Sequence, residues 1–164
     1  MNLETFNAAD EDTARALLLR CAAVPRWAAE VAAARPFPDV AAVLAAARTA
    51  ARPWTDAEVD AALARHPRIG ERPPGGGAEA AHSRREQAGV DAGDADLAAR
   101  LRAGNRAYED RFGHVFLIRA AGRSAEEILA ALDERLGNDP VTERRVVAEQ
   151  LREIAVLRLE GELT

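Results

Sequence analysis

The sequence predicts an all-α fold: a compact bundle of about seven or eight helices in a single domain, residues 1–164, with one irregular or extended apolar segment. Three observations carry this. Hydrophobic residues make up 48% of the chain but aromatics only 4%, so the core must be built from alanine, leucine and valine. Alanine and leucine are the strongest helix formers, whereas a sheet would draw on β-branched and aromatic residues. Apolar residues also recur at helical spacing along most of the chain. Finally, two capping boxes announce helix starts, "TDAE" at Thr55–Glu58 and "SAEE" at Ser124–Glu127. In each, the hydroxyl and the carboxylate satisfy opposite orphan N–H groups.

Each element has its own signal. "ADEDTARALLLRCAA" sets Leu17, Leu18 and Cys21 on one side and opens with Asp10, Glu11 and Asp12, where carboxylates complement the helix dipole. "RWAAEVAAA" follows Pro25 and is ended by Arg35-Pro36; "PDVAAVLAAARTA" is stopped by Pro53. The helix launched at Thr55 should run to Arg65, because the residue before a proline is pushed out of the α region, which places His66 at its very end. A glycine-proline loop over about 68–78 follows, low in complexity over 72–78. "AEAAHSRREQAGV" reads as a helix or a strained half-helix, and "ADLAARLRAGNRAYEDRF" as a long helix with Leu97, Leu101, Tyr108 and Phe112 on one stripe. "FGHVFLIRAAGR" breaks the pattern and is the irregular segment. The helix from Ser124 should end with Gly137 in the left-handed position, and a last helix should span about Val141 to Leu159. Its inward residues should be Val146, Val147, Leu151, Ile154 and Leu157.

Composition narrows the functional classes. The net charge of −5, with both signs interleaved, lacks the basic patch of a nucleic-acid groove. Cys21 is the sole cysteine, so an internal disulfide and a cysteine-based zinc site are both out, and its apolar neighbours make it a buried small side chain. No apolar run reaches the ~18 residues that span a membrane. The acidic N-terminus lacks the basic n-region of a secretory signal. The expectation is a cytoplasmic protein without nucleic-acid or membrane partners.

Three places carry chemistry. His66, between the end of a helix and the rigid Pro67, sits where exposed carbonyls favour an imidazolium and where proton affinity can be tuned around ~6.5. In "HSRREQAG", Ser83, Glu86 and Gln87 stand at i, i+3 and i+4, so hydroxyl, carboxylate and amide share one helix face and can bind ureas and hydroxyls. His82, beside them, is expected to be exposed. His114 is the third histidine, but no histidine pair has metal-ligand spacing and "GGG" at 75–77 opens no phosphate cradle. No metal or cofactor site is read.

"HPRIGE", "SRREQAG" and "NRAYEDRFGHVFLIRAAGRSAEEILAALDERLGNDP" with the helix that follows resemble the 2-oxo-4-hydroxy-4-carboxy-5-ureidoimidazoline (OHCU) decarboxylase family. The resemblance covers essentially the whole chain, weakly at "LETFNAAD", and its specific mark is the order His-Pro, Ser-x-x-Glu-Gln, Asn-x-x-Tyr-x-x-Arg-Phe-Gly. It implies an all-α homodimer that decarboxylates a ureidoimidazoline to (S)-allantoin and CO2 at the last step of urate breakdown, with no metal or organic cofactor. It also implies His66 and Glu86 as catalytic residues. Pro67, Ser83, Gln87, Phe112, Ile118 and Arg119 would bind substrate, with backbone groups of "FGHVFLI" clasping the ring's amide edges. The sequence departs from the family at Ala121, where an arginine is common, and at His114-Val115, where Phe-Pro is common. Arg119 is the favoured replacement, with Arg123 the other choice. The alternatives are a helical ligand- or partner-binding relative that has lost or changed this substrate, and a metal-dependent hydrolase using the histidines.

Overall fold

The computed structural model describes residues 1–70, 78–88 and 94–164, without the side chains of 78–80. The glycine-proline stretch expected as a loop, from 71 to 77, and Gly89 and Val90 of the "HSRREQAGV" run lie outside the described residues. Among the described residues there are nine helices and no strand. The chain divides into two compact units, residues 1–64 with 151–164, and residues 65–150.

The first unit contains α1 (Leu3–Ala8), α2 (Glu11–Cys21), α3 (Pro25–Ala33), α4 (Val40–Ala50), α5 (Asp56–Leu63) and the second half of α9 (Pro140–Leu163). Helix α1 is the one the sequence reading missed. Six residues are too few to show a period, although Asn2 supplies a readable start by accepting the Thr5 N–H at 2.9 Å. Asp10 and Asp39 cap α2 and α4 in the same way, and Pro25 occupies the first turn of α3, where its missing N–H costs nothing. The predicted capping box at Thr55 and Glu58 is formed.

Helix α2 packs on α3 and α3 on α4, around Phe6, Leu17, Leu18, Val24, Trp27 and Val43, all fully buried. Each such side chain contributes about 1.5–3 kcal/mol when taken out of water. Trp27 meets Trp54 edge-to-face at 6.2 Å and donates its indole N–H to the Ala47 carbonyl at 2.9 Å. Arg35 gathers the carbonyls of Phe6, Ala9 and Ala32 within 2.9 Å, so one cation satisfies acceptors at the ends of two helices. Cys21 is buried as expected.

The second unit contains α6 (Ala78–Glu86), α7 (Ala95–Phe112), α8 (Ala125–Arg135), the first half of α9 and the irregular segment between α7 and α8. Helix α7 matches its predicted range, and Leu97, Leu101 and Tyr108 are buried with Phe112 partly so. It packs on α8 through Gly104, where a Cβ would collide with Leu132 Cδ2. The core of this unit joins Ile69, Leu97, Leu101, Tyr108, Phe116, Ile118, Ile128 and Leu132.

Four expectations need correction. Helix α5 ends at Leu63, and two turn residues separate it from His66; the helix-terminus field on the imidazole is therefore weaker, since it fades beyond the last turn. Gly137 is not left-handed: α8 closes through Leu136 in right-handed geometry, and Gly137 N–H bonds the Glu134 carbonyl at 3.0 Å. Gly113 takes that role instead, capping α7 at φ 74°. Helix α9 passes the expected end at Leu159 to reach Leu163, and Val146 and Leu157 are only half-buried while Glu143 is fully buried. The fourth correction concerns His82, described with the site.

Candidate active site

His66 and Pro67 are half-buried, and the His66 Nε2 is sealed from solvent. The residues that follow are tied down one after another. Arg68 forms a two-bond pair with Glu109 of α7, at 2.5 and 2.8 Å, which holds the Glu109 carboxyl below its ordinary value. The Ile69 carbonyl accepts from Asn105 Nδ2 at 2.9 Å while the Ile69 side chain enters the core. The Gly70 N–H donates to Gln87 Oε1 at 3.0 Å. Gly70 itself must be glycine, because its φ is +84° and a Cβ would lie 3.0 Å from Leu101 Cδ2.

Helix α6 brings the predicted polar face. Ser83 is 4% exposed and Glu86 and Gln87 are half-buried. His82, expected outside, is 6% exposed. It lies one turn from Glu86, so the edge of α6 that buries Ser83 takes its neighbour along. Through Gly70, Gln87 meets the His66 loop, and its oxygen is thereby engaged, leaving the NH2 end as its donor.

The segment after Gly113 is irregular, as predicted. His114 is packing material: its ring meets Tyr108 at 5.5 Å and Phe112 at 6.3 Å, and its Nδ1 lies 3.1 Å from the Val115 carbonyl. Phe112 and Ile118 join the same apolar cluster as Ile69. The structure therefore brings together the His66 loop, the end of α6 and residues 112–119, all in the second unit. Arg119 Nη1 donates to the Ala121 carbonyl at 3.1 Å, so its guanidinium stands beside the position where the family arginine is missing. Arg123, N-terminal to the cap of α8, keeps its Nε buried with no hydrogen-bond partner among the described residues.

Behind the segment lies a network the sequence reading did not find. Glu143 is fully buried. It accepts from the Tyr108 hydroxyl, from Arg135 Nε at 2.9 Å, from Arg135 Nη2, and from Asn138 Nδ2 at 2.8 Å. Arg135 also donates to the Leu117 carbonyl at 2.6 Å and lies over the Phe116 ring at 4.7 Å. Burial, and then the carboxylate, push the Tyr108 phenol well above its ordinary value. A signal was present, since Glu143 precedes Val147 by four residues and Leu151 by eight, on the inward stripe of α9. Asn105 likewise follows Leu101 by four on α7.

Among the described residues no three of His, Cys, Asp and Glu are grouped to hold a metal ion, and no helix is long and apolar enough to cross a membrane. An all-α chain that fixes a histidine loop beside a polar helix face defines a class of small helical protein suited to a polar, hydrogen-bonding small molecule. Residues 7–160 match the model of the OHCU decarboxylase family, and the chain belongs to that family. It is 44% identical over 97 residues to a 2-oxo-4-hydroxy-4-carboxy-5-ureidoimidazoline decarboxylase of Amia calva, covering 58% of this chain and 55% of that one. It is 40% identical over 55 residues to a uric acid degradation bifunctional protein of Arabidopsis thaliana, covering 34% of this chain and 17% of that one. The matched stretches thus span about half or less of these curated relatives. The fold is shared with an OHCU decarboxylase crystallised in the presence of (S)-allantoin, with TM-score 0.73, 23% identity, and 94% and 98% of the two chains covered. An (S)-allantoin synthase gives TM-score 0.71 and 18% identity, with 99% of this chain and 54% of that one covered.

Proposed function

We propose that this protein decarboxylates 2-oxo-4-hydroxy-4-carboxy-5-ureidoimidazoline to (S)-allantoin and CO2, the last step of urate degradation, as a cofactor-independent carbon–carbon lyase. The observation that carries the reading is the His66 loop, tethered at Arg68, Ile69 and Gly70 and joined through Gly70 to Gln87 of the polar face, in a chain whose residues 7–160 match this family. The substrate supplies its own electron sink. As the C–CO2 bond breaks, its electron pair flows into the adjacent ring C=N, so no pyridoxal or thiamine is required. The resulting enol can take a proton on either face, and free in solution it gives racemic allantoin.

The protein's task is to stabilise the charge moving into the ring and to deliver one proton to one face. His66 exchanges a proton with the substrate hydroxyl as general acid and base. Glu86 either orients His66 or binds the ureido N–H groups. Ser83 and the Gln87 NH2 fix the ring and carboxylate end; Pro67, Phe112 and Ile118 shape the pocket wall. Arg119 takes the place of the arginine absent at 121, supported by its contact with the Ala121 carbonyl, and binds the carboxylate or ring oxygen by charge-assisted bonds. The homodimer, the cytoplasmic location and a single domain over 1–164 belong to the same reading.

The test adds purified protein to a urate oxidation mixture containing the preceding hydrolase and follows the optical activity of the allantoin. Wild type should yield the S enantiomer, and His66→Asn should yield racemate with the fold intact. Full optical activity from His66→Asn would remove His66 from the mechanism. A second reading is favoured by one observation, Ala121: a relative with a changed substrate. Racemic product with wild type would establish it.

A further inference from the structure

His66 lies past the end of α5, which closes at Leu63, so regular helix geometry does not fix its main chain. The residues after it are fixed instead, and by one stripe of α7. The Arg68 guanidinium engages both oxygens of Glu109, at 2.5 and 2.8 Å, and the Ile69 carbonyl accepts from Asn105 Nδ2 at 2.9 Å. Gly70 stands so close to Leu101 that a Cβ on it would lie 3.0 Å from Leu101 Cδ2. Residues 101, 105 and 109 are spaced four apart, so they stand one above another on a single helix face. The loop thus runs antiparallel along that face with one contact per residue, and it cannot slide or roll without losing a contact. Only Pro67 separates Arg68 from His66. Its ring fixes φ at about −65°, and a proline restricts the backbone of the residue before it. The register set at Arg68 is therefore passed to the imidazole with little slack.

We propose that Asn105 and Glu109 are positioning residues, which hold Arg68 and Ile69 in register on α7 and so set where the His66 imidazole meets the substrate hydroxyl. The inference rests on the proposed function, in which His66 exchanges a proton. Both residues act through the loop and neither is assigned a contact with substrate. Asn105 is 4% exposed, and among the described residues its side chain bonds the Ile69 carbonyl while its Oδ1 has no partner. A buried amide with half its capacity idle is a poor core residue, so the tether, and not packing, accounts for an amide at this position. The Arg68–Glu109 side chains are 47% and 22% exposed. Such pairs add little to stability, but a two-bond pair fixes direction. The neighbouring stripe anchors α7 at the same level: Gly104 seats it on Leu132 of α8, and the Tyr108 hydroxyl donates to the buried Glu143. Such anchoring matters to the chemistry, because a misplacement of ~1 Å can cost about 100-fold in rate.

The variants are Glu109→Ala, Glu109→Gln, Arg68→Ala, the double variant Arg68→Ala with Glu109→Ala, and Asn105→Ala. They would be compared by thermal melting, by calorimetric binding of (S)-allantoin, and by kcat and KM on freshly generated substrate. Glu109→Ala should lower kcat about fivefold, a part of the ~100-fold that misplacement can cost. Its melting temperature, KM and affinity for (S)-allantoin should stay at wild-type values, the pattern of an interaction felt in the transition state and not in binding. Glu109→Gln keeps an acceptor for Arg68 and should fall between Glu109→Ala and wild type. Arg68→Ala should lower kcat at least as far as Glu109→Ala, and adding Glu109→Ala to it should change nothing further, since one pair is removed either way. Asn105→Ala should lower kcat about tenfold, again at constant KM; because Asn105 is buried, the Arg68 and Glu109 set decides the matter should this variant melt early. Full kcat in folded Glu109→Ala and Arg68→Ala would overturn the inference, as would additive losses in the double variant or a loss carried by KM alone. Wild type that yields no (S)-allantoin defeats the proposed function and this inference with it; active wild type with indifferent variants defeats the inference alone.

Discussion

Replacing Glu143 by alanine removes the one carboxylate that, among the described residues, faces Arg135, Tyr108 and Asn138. Arg135, 7% exposed, would keep its charge with no counter-ion, and the phenol would lose its acceptor. Breaking a buried ion pair from one side costs about 3–5 kcal/mol, and the orphaned hydroxyl adds about 1 kcal/mol or more. A loss of at least about 4 kcal/mol is a large fraction of a total of about 5–15 kcal/mol. At about 2–4 °C per kcal/mol for a chain of this size, the melting temperature should fall by at least roughly 8–16 °C. The optical probes separate the two units: the chain's single tyrosine, Tyr108, lies in the affected one, and both tryptophans, Trp27 and Trp54, lie in the other. Urea unfolding should therefore be followed by tyrosine absorbance, with a lower midpoint at an unchanged slope. The paired variant Arg135→Met with Glu143→Leu discards both charges and should recover to within about 2 kcal/mol of wild type, the residue being the Leu117 carbonyl and Tyr108 hydroxyl left without partners. A cost below about 1 kcal/mol for Glu143→Ala, or a double variant no more stable than the single, would refute the reasoning.

Gly104→Ala gains about 1 kcal/mol of helix propensity but drives a methyl group into Leu132, an overpacking cost of about 1–3 kcal/mol. A net loss is expected by thermal melting, against a slight gain for Gly161→Ala, which has open space around it. A more stable Gly104→Ala would contradict the tight α7–α8 contact. The Cys21 thiol is pushed by burial from 9.0 up to about 12. The unfolded thiol ionises first, so this contribution to stability is whole below pH 9 and drains away as pH rises toward about 12. Cys21→Ala should flatten that part of the stability profile, and iodoacetamide should label native Cys21 only as fast as the protein opens.

The helical class was legible because alanine and leucine carry the core, and because hydroxyl–carboxylate pairs three residues apart mark the starts of α5 and α8 unambiguously. The range of α7 was legible from its periodicity and from the apolar, irregular run that breaks it at Phe112. The end of α5 was misplaced because proline forbids helix only at its predecessor; nothing in the sequence requires the helix to last that long. Gly137 was misread for a similar reason: a glycine permits a left-handed turn without compelling one. The polar row of Ser83, Glu86 and Gln87 could be read from local spacing. The Arg135–Glu143–Tyr108 network could not, because Tyr108 lies 27 and 35 residues from its partners. Charged residues on an inward stripe ordinarily argue against burial, and only the arrival of the partner reverses that argument.

The Glu143 network has a consequence for how such a protein can diverge. Losing any one of its charged members strands another in a dry interior, so single-letter changes there are heavily penalised and a lineage must alter both charges in concert or leave them alone. The alanine at 121 answers to no such pact. Divergence in what the protein accepts should therefore proceed along the rim, one exchange at a time, over a chassis that barely moves.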